Sequence, residues 1–494
     1  MVPMSVEVIA QAVSGRLVPP ARRDVGSALG VSVVSDSRQV GEGSVFVAIK
    51  GERVDGHDFV PTLAQAGAVA AIVDHPVDGA QVAQIVVDDT VAALGALAAR
   101  NIALRKAMDE PFDIIGLTGS VGKTTTKDLL SALLGRLGDT VAPVGSFNNE
   151  IGLPLTALKV DRDTRFFVAE MGASHLGEIA SLTRIAPPDV AIVLKVGVAH
   201  LGEFGSREHV AQAKSEIVRG LVPGGLAVLN ADDDHAAAMA DLAEGGVLWF
   251  GVDHTDADHT VSAADIVMDE RDRAGFVMRT PEGEAPVRLG ISGRHNVMNA
   301  LAAAGVALHF GMSPTDIAET LGAQQRISPH RMAVSQVTRG AAGFTLIDDS
   351  FNANPDSMKA GLDGLAAWGA DKPLYRVAVL GAMLELGGDG AELHAQVGAY
   401  AASLGVDAIV AVGGSGDASL DALAEALAEG AKKERVDAGD DKVSIDLVSD
   451  IDQADRLVMD MAASHPDAVV LLKGSHASGL SALAERWAAG TNNR

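Results

Sequence analysis

The chain has no cysteine, which excludes disulfides, thiolate metal sites and cysteine nucleophiles and leaves only oxygen or imidazole ligands for any metal. Aromatic residues are only 3% of the total, so platforms on which bases could stack are few. Positive charge is scarce as well. The 39 lysines and arginines face 65 aspartates and glutamates, and the resulting formal charge of −26 would repel a phosphate backbone. No basic patch offsets it, so no nucleic-acid partner is expected. No apolar run approaches the roughly 18 residues that cross a bilayer, and the first residues, with Glu7 and Gln11 among apolar neighbours, lack a basic-then-apolar leader pattern. The expectation is a cytoplasmic protein without a membrane partner. Internal repeats and long low-complexity tracts are missing too.

What is present is 494 residues with 48% apolar content, too long for one core. Alternating strand and helix patterns predict an α/β fold of three domains: a small N-terminal α/β unit over 1–110, a central P-loop-type domain with a mostly parallel sheet over 111–330, and a C-terminal Rossmann-like α/β domain over 331–494. Strands are expected near 31–34, 44–49 and 70–73, with a helix over 59–67. In the centre they fall at 113–117, 165–169, 190–194, 227–230 and 247–250. In the last domain they fall at 344–347, 376–380, 408–412, 443–447 and 468–472.

The organising stretch is Thr118-Gly119-Ser120-Val121-Gly122-Lys123-Thr124-Thr125, where an apolar strand enters a glycine-rich turn and then a helix. Glycines 119 and 122 let backbone N–H groups approach phosphate oxygens, the helix presents its positive end, and Lys123 adds a mobile charge. A hydroxyl at 124 or 125 suits Mg²⁺. Leucine at 117 breaks the strict G-x-x-x-x-G-K-[ST] spacing. Polar residues follow the other predicted strands: Glu170 after the second of the central domain, His200 soon after the third. Lys214 reads from composition alone as an ordinary helix-surface lysine. In the last domain Asp349, Asn352, Asn354 and Lys473 also follow strands and are expected at one edge of the sheet.

Taken together, these motifs resemble the Mur ligase family, ATP-dependent amide-bond ligases of bacterial cell-wall peptidoglycan precursor synthesis. The displaced first glycine fits that family's phosphate loop. The run Ser146-Phe147-Asn148-Asn149-Glu150-Ile151-Gly152-Leu153-Pro154, the turn from His200 to Ser206 and the loop Phe351-Asn352-Ala353-Asn354-Pro355 are similar to the branch that joins D-alanyl-D-alanine to UDP-N-acetylmuramoyl-tripeptide through an acyl phosphate. The sibling that adds the third-position diamino acid normally carries an N-P-R element, which does not occur here. That sibling, and a non-catalytic ATP-responsive interaction protein, are the rival readings.

The resemblance implies ATP and Mg²⁺ as cofactors; a monomer is the expectation because the three domains need to move. Gly119, Ser120, Gly122, Lys123, Thr124 and Thr125 would hold the phosphates. Thr124, Glu170, His200 and a carbamylated Lys214 would hold magnesium, with Lys123, Lys214 and His200 catalytic. Asn296, Asn299, Arg331 and Asp349 would contact the nucleotide. For the substrates it implies Asp36, Ser37, Arg38 and Lys50 at the UDP end, with Asn148, Asn149, Asn352, Asn354 and Lys473 elsewhere. The chain departs from the family pattern with Phe351 for the usual tyrosine, Ala382 for a common aspartate and His476 for an arginine.

Overall fold

A computed structural model describes residues 1–20, 28–51, 54–197, 201–254, 260–325, 327–369, 372–439 and 442–491. Three large sheets organise them. The first has five strands: Ser32–Val34, Ser44–Val47, Ala70–Val73 and Ala83–Val86 run parallel, and Arg16–Val18 pairs antiparallel at one edge. The helix expected over 59–67 is instead a 3₁₀ helix, Gly56–Ala66. Pro61 lies inside it and removes a backbone donor, which disfavours a regular α-helix there.

The central sheet has nine strands with Asp113–Thr118 flanked in parallel by Phe166–Glu170 and Val190–Val193. Both of its faces are covered, as a parallel sheet requires: Ile114 packs into one core, Ile115 and Leu117 into the other. The sequence reading missed its far end, where Thr260–Met268, Arg273–Thr280 and Gly283–Ser292 pair antiparallel. It also missed Ala333–Arg339, the antiparallel edge of the six-stranded C-terminal sheet.

The helix Thr90–Lys106 ties the first unit to the second. Its buried Arg105 donates to the carbonyls of Thr164, Glu110 and Pro111, and Asn101 donates to those of Ala157 and Val160. These bonds satisfy carbonyls that packing has taken from water. Asn101 and Arg105 are one turn apart, so one helix face makes every contact. Among the described residues, no helix is long and apolar enough to cross a membrane.

Candidate active site

A cleft of about 270 Å³ opens where the central and C-terminal sheets meet, beyond the ends of their parallel strands. Its floor is the phosphate-loop turn. Gly122 adopts φ +84°, a left-handed conformation that only glycine takes readily, and starts the helix Lys123–Leu134. A Cβ at Gly122 would sit 2.3 Å from Asn299 Oδ1, and one at Gly119 would sit 2.9 Å from Leu194 Cβ. Both positions therefore require a bare backbone. The substitution Gly122→Ala combines backbone strain with this clash, each of order 1–3 kcal/mol, and is expected to weaken nucleotide binding by about 10- to 100-fold in calorimetry.

Thr124 Oγ1 shares a 2.8 Å hydrogen bond with Ser146 Oγ, and Arg331 Nη2 lies 3.2 Å from the same Ser146 oxygen. Glu170 ends its strand with only 1% of its surface exposed. Its Oε1 accepts from Asn148 at 2.8 Å and from Thr124 at 3.4 Å, while its buried Oε2 has no partner among the described residues. An ionised carboxylate oxygen held out of water without a donor is costly, so this atom calls for a cation. Oxygen donors from Thr124 and Glu170 fit a hard divalent ion such as Mg²⁺.

Lys123 Nζ donates to the Gly119 carbonyl at 2.7 Å. Desolvation lowers its pKa and the Arg331 charge adds to that, while Glu170 opposes both. Lys214 is not on the surface. It is 3% exposed on the inner face of the helix Arg207–Arg219, and burial, then the Lys123 charge, brings its pKa down to about 7. No hydrogen bond or ion pair within the described residues holds its ammonium. His200 lies outside the described residues.

From the C-terminal sheet come Asp349 and Lys473. Parallel register sets them side by side on neighbouring strands, and Lys473 Nζ meets Asp349 Oδ2 at 2.5 Å in a buried ion pair. Lys473 also donates to the Asn352 carbonyl at 3.3 Å. Asn354 caps the helix Pro355–Ala367 through Ser357, and Asn149 Oδ1 accepts the Gly152 N–H at the start of Gly152–Ala157. Asn296 and Asn299, one turn apart, are joined by a 2.8 Å hydrogen bond. Phe351 keeps the ring that the family's tyrosine would supply, with the Arg331 guanidinium 5.0 Å above its centroid.

The cleft thus gathers Ser120, Gly122, Lys123, Thr124, Thr125, Glu170, Asn296, Asn299, Arg331, Asp349, Asn352, Asn354 and Lys473. Gly119 and Asn148 stand just behind this lining. Asp36, Ser37, Arg38 and Lys50 are not part of it; they sit at strand ends of the N-terminal sheet, where Arg38 forks onto Asp36 and holds its carboxyl down at about pKa 2. The sequence reading passed over Ser146, although it lies in the quoted Ser146–Pro154 run. It also passed over His295, Lys195 and Asp356, which line the cleft beside residues it did select. Four cations, Lys123, Lys195, Arg331 and Lys473, outnumber three carboxylates, Glu170, Asp349 and Asp356, in a chain that is strongly acidic overall. Such local inversion suits a polyanion.

Residues 31–102 match the description "Mur ligase family, catalytic domain", 117–307 "Mur ligase middle domain", and 330–476 "Mur ligase, glutamate ligase domain". A UDP-N-acetylmuramoyl-tripeptide--D-alanyl-D-alanine ligase of Mycobacterium tuberculosis is 41% identical, with 98% of each chain covered. The Escherichia coli protein of the same name is 36% identical over 77% of this chain and 81% of its own. Among solved structures, MurF from Acinetobacter baumannii superposes with a TM-score of 0.82 at 34% identity, covering 98% of each chain. MurF ligase from Thermotoga maritima in complex with ADP gives 0.74 at 29% identity, covering 94% of this chain and 98% of its own.

Proposed function

Because the chain belongs to the Mur ligase family, we propose that it is an ATP-dependent, ADP-forming peptide ligase that joins D-alanyl-D-alanine to UDP-N-acetylmuramoyl-tripeptide in peptidoglycan precursor synthesis. The single observation that carries the ATP chemistry is the cleft in which Lys123, Thr124 and the orphaned carboxylate oxygen of Glu170 converge on the glycine turn. In the reaction, the tripeptide's terminal carboxylate attacks the γ-phosphorus and ADP leaves. The dipeptide amine then attacks the carbonyl of the acyl phosphate, phosphate leaves, and the amine gives up a proton as the amide forms.

Three domains divide this labour: 1–110 for the UDP end at Asp36, Ser37, Arg38 and Lys50, 111–330 for ATP, and 331–494 for nucleotide closure and the incoming dipeptide at Asn352, Asn354 and Lys473. Lys123 neutralises transferring phosphate, and Arg331, Asn296, Asn299 and Asp349 orient the nucleotide. Thr124 and Glu170 would hold Mg²⁺, and His200 is assigned to magnesium with Glu170 by its motif. When bound, this cation supplies charge neutralisation between two anionic reactants. Burial, then the Lys123 charge, lowers the Lys214 pKa to about 7 and so favours the neutral amine, the form that CO₂ can carbamylate. The carbamate would turn a buried cation into an anionic ligand. The enzyme is assigned to the cytoplasm as a monomer, with no nucleic-acid or membrane partner.

Mass spectrometry of the product tests the assignment. Incubation with ATP, UDP-N-acetylmuramoyl-tripeptide and D-alanyl-D-alanine should yield a species equal to the two substrates less one water, and no such species means the ligase reading is wrong. In the same assay Glu170→Gln is expected to raise the Mg²⁺ requirement about tenfold or more, because the amide offers no negative oxygen. An unchanged requirement would remove Glu170 from the metal site.

A further inference from the structure

At the edge of the N-terminal sheet, His57 is buried, and both of its ring nitrogens are engaged across two strand ends. Nε2 lies 3.1 Å from the Asp74 backbone nitrogen and 3.2 Å from the Asp74 carboxylate, and Nδ1 lies 2.6 Å from the Asp55 carboxylate. The same Asp55 oxygen accepts the His57 backbone N–H at 3.0 Å and caps the 3₁₀ helix Gly56–Ala66.

Asp55 stands opposite Lys50 in an isolated antiparallel backbone bridge. The flanking backbone bonds run from Gly51 N to the Val54 carbonyl and from Gly56 N to the Ile49 carbonyl, both 3.0 Å. Asp74 directly follows the neighbouring strand Ala70–Val73. His75 covers the outer side, its ring stacked on His57 at 4.6 Å and 19°. His57, Asp74 and His75 bring donor atoms within 4.8 Å of one another, and the Asp74 carboxylate is already paired with both imidazoles.

We infer that His57 is a positioning residue for the nucleoside-diphosphate end of the substrate: it ties the Lys50–Asp55 bridge to the end of the next strand and so fixes the place of Lys50. The 3₁₀ helix that His57 helps to start packs against the short 3₁₀ helix Ser37–Gln39, so one clamp governs both the Lys50 and the Asp36–Arg38 loops. The role rests on the assignment of this edge to UDP made above. Its physical basis is preorganisation, because a loop ordered before binding loses less conformational entropy when the ligand arrives.

The test uses the full-length enzyme, UDP as the probe and calorimetry as the readout. His57→Ala should weaken UDP binding about tenfold or more and raise KM for the UDP-linked substrate while kcat and ADP affinity hold, since the cleft lies in other domains. His57→Asn retains a side-chain N–H for Asp55 and loses the Asp74 contact and the His75 stack, so it should fall between the parent and His57→Ala. His75→Ala, which removes only the stack, should stay within about twofold. Hydrogen exchange at the amides of Gly51, Gly56 and Asp74 should quicken in His57→Ala. UDP affinity within about twofold of the parent in His57→Ala overturns the inference, as does a parallel fall in UDP and ADP affinity, which marks a role in folding alone. If the parent itself fails to bind UDP while exchange still quickens in the variant, the ligand assignment of the edge is what has failed, and the role for His57 goes with it.

Discussion

Lys123→Ala is expected to abolish ligase turnover, with a fall of about 10³-fold or more in kcat, while the protein keeps its fold. Among the described residues the lysine has one hydrogen bond, to the Gly119 carbonyl of its own turn, so its removal takes no cross-domain hydrogen bond with it. It is partly desolvated, and it shares the cleft with Arg331 and Glu170. Removing its charge therefore strips the field that meets phosphate without opening a cavity in either core. Phosphate release and a thermal scan check the two halves together. Near-normal turnover, or a collapse of the melting temperature in step with activity, would each contradict this role.

Lys214→Met should produce the opposite pairing of effects, an inactive enzyme that is more stable than its parent. The folded chain holds Lys214 at a pKa of about 7, whereas an exposed lysine titrates near about 10.4. Burying the ammonium is the first cause of this shift, and Lys123 repels it further. Below the folded pKa the native state must keep a cation in the core, so the penalty is fully present there. It fades as pH rises toward the unfolded value, because the unfolded chain then loses its proton as well. The stabilisation by Met, measured by thermal unfolding in CO₂-depleted buffer, should accordingly be larger at about pH 6 than at about pH 9.5. A gain independent of pH, or none, would show that the buried charge is not what this position costs.

Much of this was legible in the primary structure, and the reasons differ from element to element. The phosphate loop is local chemistry: strand, glycines, Lys-Thr and helix occur within about a dozen residues, and each has a physical reason to be there. The missed antiparallel strands did leave a trace. Ala274, Phe276 and Met278, then Ala285, Val287, Leu289 and Ile291, alternate in and out with period two on either side of Pro281-Glu282-Gly283. Lys214 left one too. Val210, Ala213, Lys214 and Ile217 recur at helical spacing on the buried face, and the lysine's polarity hid its position.

The Asp349–Lys473 pair is different in kind, because 124 residues separate its members and only the register of two parallel strands brings them together. No short-range pattern carries that information. The same holds for Gly122 and Asn299, whose contact depends on the helix Asn296–His309 lying along the phosphate-loop helix.

The most direct test is phosphate release from ATP with UDP-N-acetylmuramoyl-tripeptide or its dipeptide precursor as acceptor and D-alanyl-D-alanine, D-alanine and diaminopimelate compared as amines. The account predicts release only with the tripeptide and D-alanyl-D-alanine together. Release with diaminopimelate and a shorter UDP-linked acceptor would instead place the chain with the ligase that adds the third residue, and no release with any pair would contradict the catalytic reading altogether.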